Sequence, residues 1–215
     1  VQVLEKLDAP GGRAYVHREA GYTFDAGPTI ITVPQLFEEL WALAGRKLAD
    51  DVTLKPLDPF YRIRFDDGTH FDYNGDAEHM RREVARFSPA DLPGYERFMA
   101  EAERCYRIGF EELGATAFDS LLIGGNPSAV TCTYSLINML ERRFGVHWAM
   151  GGTGALVTGL VKLLAQLGVS VRCNTQVQRI VTTNGRASGV ELAGGEHIDA
   201  DIVVSNADTA WTYRN

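Results

Sequence analysis

The chain has 215 residues, enough for one large domain or two small ones at about 150 residues per domain. Hydrophobic residues make up 45% and charged residues 23%, a balance typical of folded globular proteins that argues against disorder. The net charge of -7 argues against nucleic-acid binding. Glycine is over-represented: 22 of the 215 residues are glycine, about one in ten, against about 7% in average proteins. The chain starts with a strand-like run at Val1, so we expect it to be part of a longer protein.

Several classes of protein find no support in the residue pattern. No CxxC pair occurs, which argues against a zinc ribbon or a redox pair. Three cysteines are an odd number for a secreted disulfide framework, so we expect small buried side chains in a reducing cytosol. The histidines are scattered, so no metal site is predicted, and no run of 18 apolar residues predicts a membrane-spanning helix. The three cysteines are Cys105, Cys132 and Cys173.

Taken in chain order, the first half alternates strands with helices. Residues 1–4 form an apolar run before a turn at 8–12, a pattern typical of a buried parallel strand. Pro34 favours a helix that ends at Gly45. Further predicted elements are an extended segment at 13–24, strands at 52–57, 61–65 and 70–73 with a hairpin turn at 66–68, and two helices, the clearer at 92–113.

The second half begins with an uncharged stretch, residues 129–140. A helix of this length is about 18 Å long, too short for a hydrocarbon core of about 30 Å, so we expect a buried helix, with shallow membrane contact as the alternative. Residues 153–167 predict a second apolar helix, and Asn184-Gly185 predicts a β-hairpin. Strands are expected at 169–171, 177–183, 187–192 and 202–205, which makes the fold class α/β with a parallel sheet.

A carboxylate and a glycine turn near the N-terminus point to a nucleotide cofactor. In dinucleotide-binding folds, an acidic residue at the end of a strand, as Glu5 is here, accepts hydrogen bonds from ribose hydroxyls. Six residues later, Gly11 and Gly12 allow close backbone approach to an anion, and Arg13 adds charge-assisted hydrogen bonds. The spacing E-x5-GGR therefore favours a cofactor site over a plain turn with a surface arginine.

A second glycine turn follows directly, at residues 21–29. Gly27 would let the main chain approach a flat ring system, although a simple Gly-Pro turn explains the same residues.

These segments closely resemble the FAD-dependent carotenoid desaturases of the bacterial phytoene desaturase type, within the flavin amine oxidase group. The resemblance rests on EKLDAPGGRAYVHREAGYTFDAGPTIIT, LLIGGNP, AMGGTGALV, NTQVQRIV and IVVSNAD, and it covers nearly the whole chain. It implies a partial Rossmann-like FAD-binding domain of the glutathione-reductase type, interleaved with an α+β substrate domain. The implied ranges are 1–45 and 150–215 for the FAD-binding domain and 46–149 for the substrate domain.

The resemblance also assigns roles to individual residues. Glu5 is the implied ribose ligand, and Gly11, Gly12 and Arg13 are the implied pyrophosphate contacts. Val177 is the implied backbone partner of adenine. Gly27, Pro28 and Thr29 are implied to form part of the wall near the isoalloxazine ring, Gly151 and Gly152 to shape the turn before the second apolar helix, and the GGNP segment to serve as a helix entry or to contact substrate.

For the complete enzyme, the resemblance implies desaturation of an acyclic C40 polyene such as phytoene in carotenoid biosynthesis. It implies that a hydride and a proton are lost from adjacent carbons, that FAD accepts the hydride, and that oxygen or a quinone reoxidises the flavin. Such a substrate dissolves in membranes, so a cytoplasmic enzyme attached peripherally to the membrane surface is expected. No acid–base residue is assigned.

The sequence departs from the family pattern in two places. The GxGxxG loop is absent, and the link between Leu113 and Leu121 is several dozen residues shorter than in the family. The alternatives are therefore another flavin amine oxidase relative, such as a carotenoid isomerase or ketolase or an amine or protoporphyrinogen oxidase, and a catalytically inert fragment.

Overall fold

The computed structural model describes residues 1–27, 29–112 and 135–214. The predicted helix at 129–140 lies partly outside these ranges. Pro28, the GGNP segment and the shortened link at 113–121 lie outside them completely. The described residues group into two compact units, 1–28 with 153–215 (unit 1) and 29–152 (unit 2). The unit boundary falls at 28 and the predicted domain boundary at 45, so residues 29–45 group with the second unit. The assignment of these units to FAD and substrate stays a prediction.

Unit 1 contains the predicted parallel pair of strands and the C-terminal meander. Strand β1 (Gln2–Leu4) pairs in parallel with β8 (Ser170–Arg172), which follows helix α5 (Thr153–Gln166). The expected extended segment at 13–24 is instead a tight helical turn at Gly12–Ala14 followed by an antiparallel hairpin. That hairpin comprises β2 (Val16–Glu19) and β3 (Tyr22–Asp25).

The meander confirms the Asn184-Gly185 hairpin. Strands β9 (Val177–Thr183), β10 (Arg186–Leu192) and β11 (His197–Asp199) form one antiparallel sheet in the order β11-β10-β9. Both turn residues have positive φ, 53° and 77°, as this type of hairpin turn requires.

The predicted strand at 202–205 is wrong. None of the described strands pairs with this segment, and Ile202 and Val204 are 81% and 89% exposed. An apolar sequence becomes a strand only when a neighbour accepts its backbone hydrogen bonds, and within the described residues this one has none. A short helix α6 (Thr209–Arg214) follows it.

Unit 2 begins with helix α1 (Pro34–Leu43), which starts at Pro34 as predicted. Gly45, with φ of 70°, follows the helix in the left-handed conformation that commonly ends one. Strands β5 (Tyr61–Arg64) and β6 (His70–Tyr73) form the predicted hairpin. Strand β4 (Leu54–Pro56) pairs with β7 (His147–Ala149).

The helices of unit 2 build its core. They are α2 (Ala77–Phe87), α3 (Leu92–Tyr106) and α4 (Ser135–Phe144). The predicted helix at 92–113 continues beyond α3 as a π-helical segment over Arg107–Glu112. Helices α3 and α4 pack through a cluster that is buried from solvent: Ala102, Tyr106, Leu136, Met139 and Leu140, with Val33. None of the helices in the described ranges is both long and apolar enough to cross a bilayer.

Helix α4 also carries a buried carboxyl group. Glu141 is 5% exposed, and the Tyr61 hydroxyl donates to its Oε1 at 2.8 Å. The Tyr73 ring stacks on Tyr61 at 5.8 Å, and its hydroxyl accepts a hydrogen bond from Asn138 Nδ2. Burial disfavours the charged carboxylate and raises the pKa of Glu141 above its ordinary 4.5, against the opposing effect of the tyrosine hydrogen bonds.

The raised pKa makes stability fall with rising pH. The folded state holds the Glu141 proton more tightly than the unfolded chain, so folding loses free energy as the pH rises above 4.5 towards the raised value. The variant Glu141→Gln keeps an acceptor for Tyr61 and removes the titration. We expect the thermal unfolding midpoint of this variant to rise relative to that of the wild type as the pH is raised from 5 to 8. The matched control is Glu39→Gln, at an exposed position of α1; a gap for Glu141→Gln that stays constant with pH would contradict the account.

Candidate functional site

The GGR turn of unit 1 (Gly11, Gly12 and Arg13) offers several hydrogen-bond donors to an anion. Gly11 has φ of 139° and Gly12 has φ of 52°, conformations that side chains disfavour. None of the described hydrogen bonds uses the backbone N–H of Gly11, Gly12 or Arg13. Successive N–H groups left without acceptors at a glycine turn form a concave site for phosphate oxygens.

The side chain of Arg13 is available to the same anion. It is exposed, and no ion pair within the described ranges engages its guanidinium. A guanidinium beside main-chain donors can bind two oxygens of a diphosphate. The turn therefore fits the diphosphate of a dinucleotide.

The structure brings Gly27 against this turn. Strands β2 and β3 pair Val16 with Asp25, and the Ala26 N–H donates to the Tyr15 carbonyl at 2.9 Å. The chain then returns to Arg13, so that a Cβ on Gly27 would lie 2.2 Å from the Arg13 carbonyl oxygen. No side chain fits there, which explains the glycine in physical terms.

Glu5 and Val177 lie near the partner strand of β1. The Glu5 N–H donates to Arg172 at 2.9 Å, and the Glu5 carbonyl accepts from Thr175 at 2.8 Å. One Glu5 carboxylate oxygen accepts from the Leu7 N–H, and the other makes no hydrogen bond within the described ranges. Two residues after Thr175, Val177 starts β9, which is an edge strand of its sheet, so one side of its backbone faces no described strand.

Two further predicted site residues fall outside the described part of unit 1. Thr29 is exposed and falls in unit 2, and Pro28 lies outside the described residues. Gly151 and Gly152 have φ of 92° and 78° in the turn that leads into α5, which confirms the structural role predicted for them.

Sequence reasoning missed the contact between the hairpin and helix α5. The Thr153 N–H donates to Asp25 Oδ2 at 3.2 Å, although 128 residues separate the two. Only the GGTGAL motif hinted at a special helix start, and nothing in the sequence indicated which segment it meets.

Comparison with known proteins identifies the family of the chain. The chain matches the family model described as flavin containing amine oxidoreductase over residues 1–114 and 99–210. The phytoene desaturase (neurosporene-forming) of Cereibacter sphaeroides and the phytoene desaturase (lycopene-forming) of a Paracoccus species are each 41% identical to it. The matches cover 99% of this chain and 49% and 51% of those proteins, so the chain spans about half the length of the curated relatives it matches.

These alignments extend over 254 positions, 39 more than the 215 residues of the chain, so the relatives carry residues that this chain lacks. An oxidoreductase structure from Methanosarcina mazei has a TM-score of 0.60 at 17% identity. It covers 95% of this chain and 52% of that one, and it supports the fold alone.

The fold is of the predicted α/β class, and the matching family model describes flavin-containing enzymes, which confirms the predicted fold class and flavin cofactor. The chain belongs to the flavin-containing amine oxidoreductase family, and the predicted resemblance to bacterial phytoene desaturases is confirmed.

The close approach of Gly27 to Arg13 is directly testable. We expect Gly27→Ala to lower the free energy of unfolding by about 1–3 kcal/mol, because the new methyl group overlaps the Arg13 carbonyl oxygen and one turn must move. Denaturant unfolding measures this change.

The matched control for Gly27→Ala is Gly194→Ala, since no atom lies within 4 Å of a Cβ at that position. The control should stay within about 0.5 kcal/mol of the wild type. Equal losses in the two variants would contradict the packing described here.

Proposed function

We propose that this chain is part of an FAD-dependent phytoene desaturase, which introduces double bonds into an acyclic C40 polyene during carotenoid biosynthesis. The observation that carries the proposal is the GGR turn. Among the described residues, its three N–H groups have no acceptor and its arginine has no ion pair, and Gly27 lies against the Arg13 carbonyl oxygen. The substrate class is supported by the two relatives at 41% identity, both named as phytoene desaturases.

Residues of unit 1 would hold the cofactor. The N–H groups of Gly11 and Gly12 and the Arg13 guanidinium bind the diphosphate, and the Glu5 carboxylate accepts from the ribose hydroxyls. The Val177 backbone meets the adenine, and Gly27 forms part of the wall beside the ring system; the same role for Pro28 and Thr29 stays a prediction. FAD supplies the hydride acceptor when bound, and this chain's residues provide position and exclusion of water.

Unit 2 is proposed to serve the substrate. The polyene would reach this unit from a membrane surface to which the protein attaches peripherally. Oxygen or a quinone is proposed as the final electron acceptor. Desaturation is tested by adding phytoene in vesicles to the FAD-loaded protein and following the longer polyene by its visible absorption. A protein that binds FAD but leaves phytoene unchanged, with oxygen and with quinone, would contradict the proposal.

The cofactor role of Arg13 gives a quantitative prediction. We expect Arg13→Ala to weaken FAD binding by about 1–3 kcal/mol, the range for hydrogen bonds to a charged group, in a fluorescence titration of FAD. Arg18→Ala is the control, because Arg18 is also exposed but lies on β2, beyond the turn. Equal affinities for the wild type and Arg13→Ala would rule out the diphosphate contact.

A further inference from the structure

The start of helix α5 is pressed onto the hairpin that carries Gly27. A Cβ on Gly154 would lie 2.6 Å from Cγ2 of Val16, so only glycine allows the helix to come this close. One residue earlier, the Thr153 N–H donates to Asp25 Oδ2. Asp25 is the last residue of β3 and pairs with Val16, so packing and the hydrogen bond join the same two segments.

This contact leaves two buried oxygens unsatisfied. Asp25 Oδ1 and Thr153 Oγ1 are buried and have no hydrogen-bond partner in the described part of the chain, and Thr153 is only 8% exposed. Each unsatisfied buried group costs about 1–3 kcal/mol, which the partial positive charge at the helix start offsets only in part. An arrangement that costs stability calls for an explanation other than stability.

The two residues that follow Asp25 in the chain contact the proposed cofactor turn. The next residue, Ala26, donates its N–H to Tyr15, and the residue after it, Gly27, touches the Arg13 backbone. We propose that Asp25 is a positioning residue for the flavin: by binding the Thr153 N–H it holds the Gly27 turn against Arg13. Asp25 acts through Gly27 and Arg13 and does not touch the cofactor itself. The inference rests on the proposed FAD site.

The test compares four variants of the protein by two measurements. The variants are Asp25→Ala, Asp25→Asn, Asp25→Glu and the control Asp199→Ala, which removes an exposed carboxylate from the same unit. FAD affinity is measured by quenching of flavin fluorescence on binding. The unfolding midpoint without FAD is measured in parallel, because a purely structural role would move the midpoint and leave the affinity of the folded protein unchanged.

The proposal predicts a distinct pattern. Asp25→Ala should bind FAD about tenfold more weakly, and Asp25→Asn should stay within about threefold of the wild type, since the amide oxygen still accepts from Thr153. Asp199→Ala should bind normally. Asp25→Glu keeps the charge but adds a methylene that separates the two segments, so it should also lose about tenfold and serves as the test if Asp25→Ala fails to fold.

Two other results overturn the proposal. Wild-type affinity in folded Asp25→Ala or Asp25→Glu would show that the contact does not position the cofactor, and an Asn variant as weak as Ala would show that the hydrogen bond is not the cause. Either result would leave the FAD site standing. A wild-type protein that binds no FAD would instead refute the proposed function itself, and the inference with it.

Discussion

The close contact between Gly27 and the Arg13 backbone is the constraint on which the geometry of unit 1 depends. The GGR turn and the Gly27 turn lie in contact because the β2–β3 hairpin brings them together and because glycine has no Cβ to separate them. The GGR turn thereby keeps its N–H groups free of acceptors from the described residues. A loop fixed by a backbone contact keeps such donors in place before the ligand binds. This preorganisation lowers the conformational entropy lost on binding.

The same hairpin connects the turn to the rest of the unit. Helix α5 packs on β2 through Gly154, and it leads to β8, the parallel partner of β1. Glu5, at the end of β1, is therefore positioned by β8, the strand that follows α5. The predicted ribose and diphosphate ligands, although six residues apart, depend on a helix more than 140 residues further along the chain. Unit 2 shows a contrasting environment for a carboxyl group, because Glu141 is buried beside tyrosines and burial raises its pKa.

Local signals in the sequence predicted local structure well. Pro34 marked the start of α1, and Asn184-Gly185 marked a hairpin. E-x5-GGR marked the turn whose donors find no acceptor in the described part of the chain. These are cases in which backbone conformation is dictated by one or two residues. The strand predicted at 202–205 failed because a strand needs a neighbour, which no local pattern reports. The Asp25–Thr153 contact was invisible for the same reason, since 128 residues separate its two ends.

The central claim is that FAD binds along the GGR turn of unit 1. Hydrogen exchange of the backbone amides, with and without added FAD, tests it most directly, because the N–H groups of residues 11–13 have no acceptor within the described ranges. The account predicts that FAD slows exchange at residues 11–13 and around Gly27 and leaves the β9–β10 turn unchanged. Unchanged exchange at residues 11–13 under saturating FAD, or protection confined to unit 2, would contradict it.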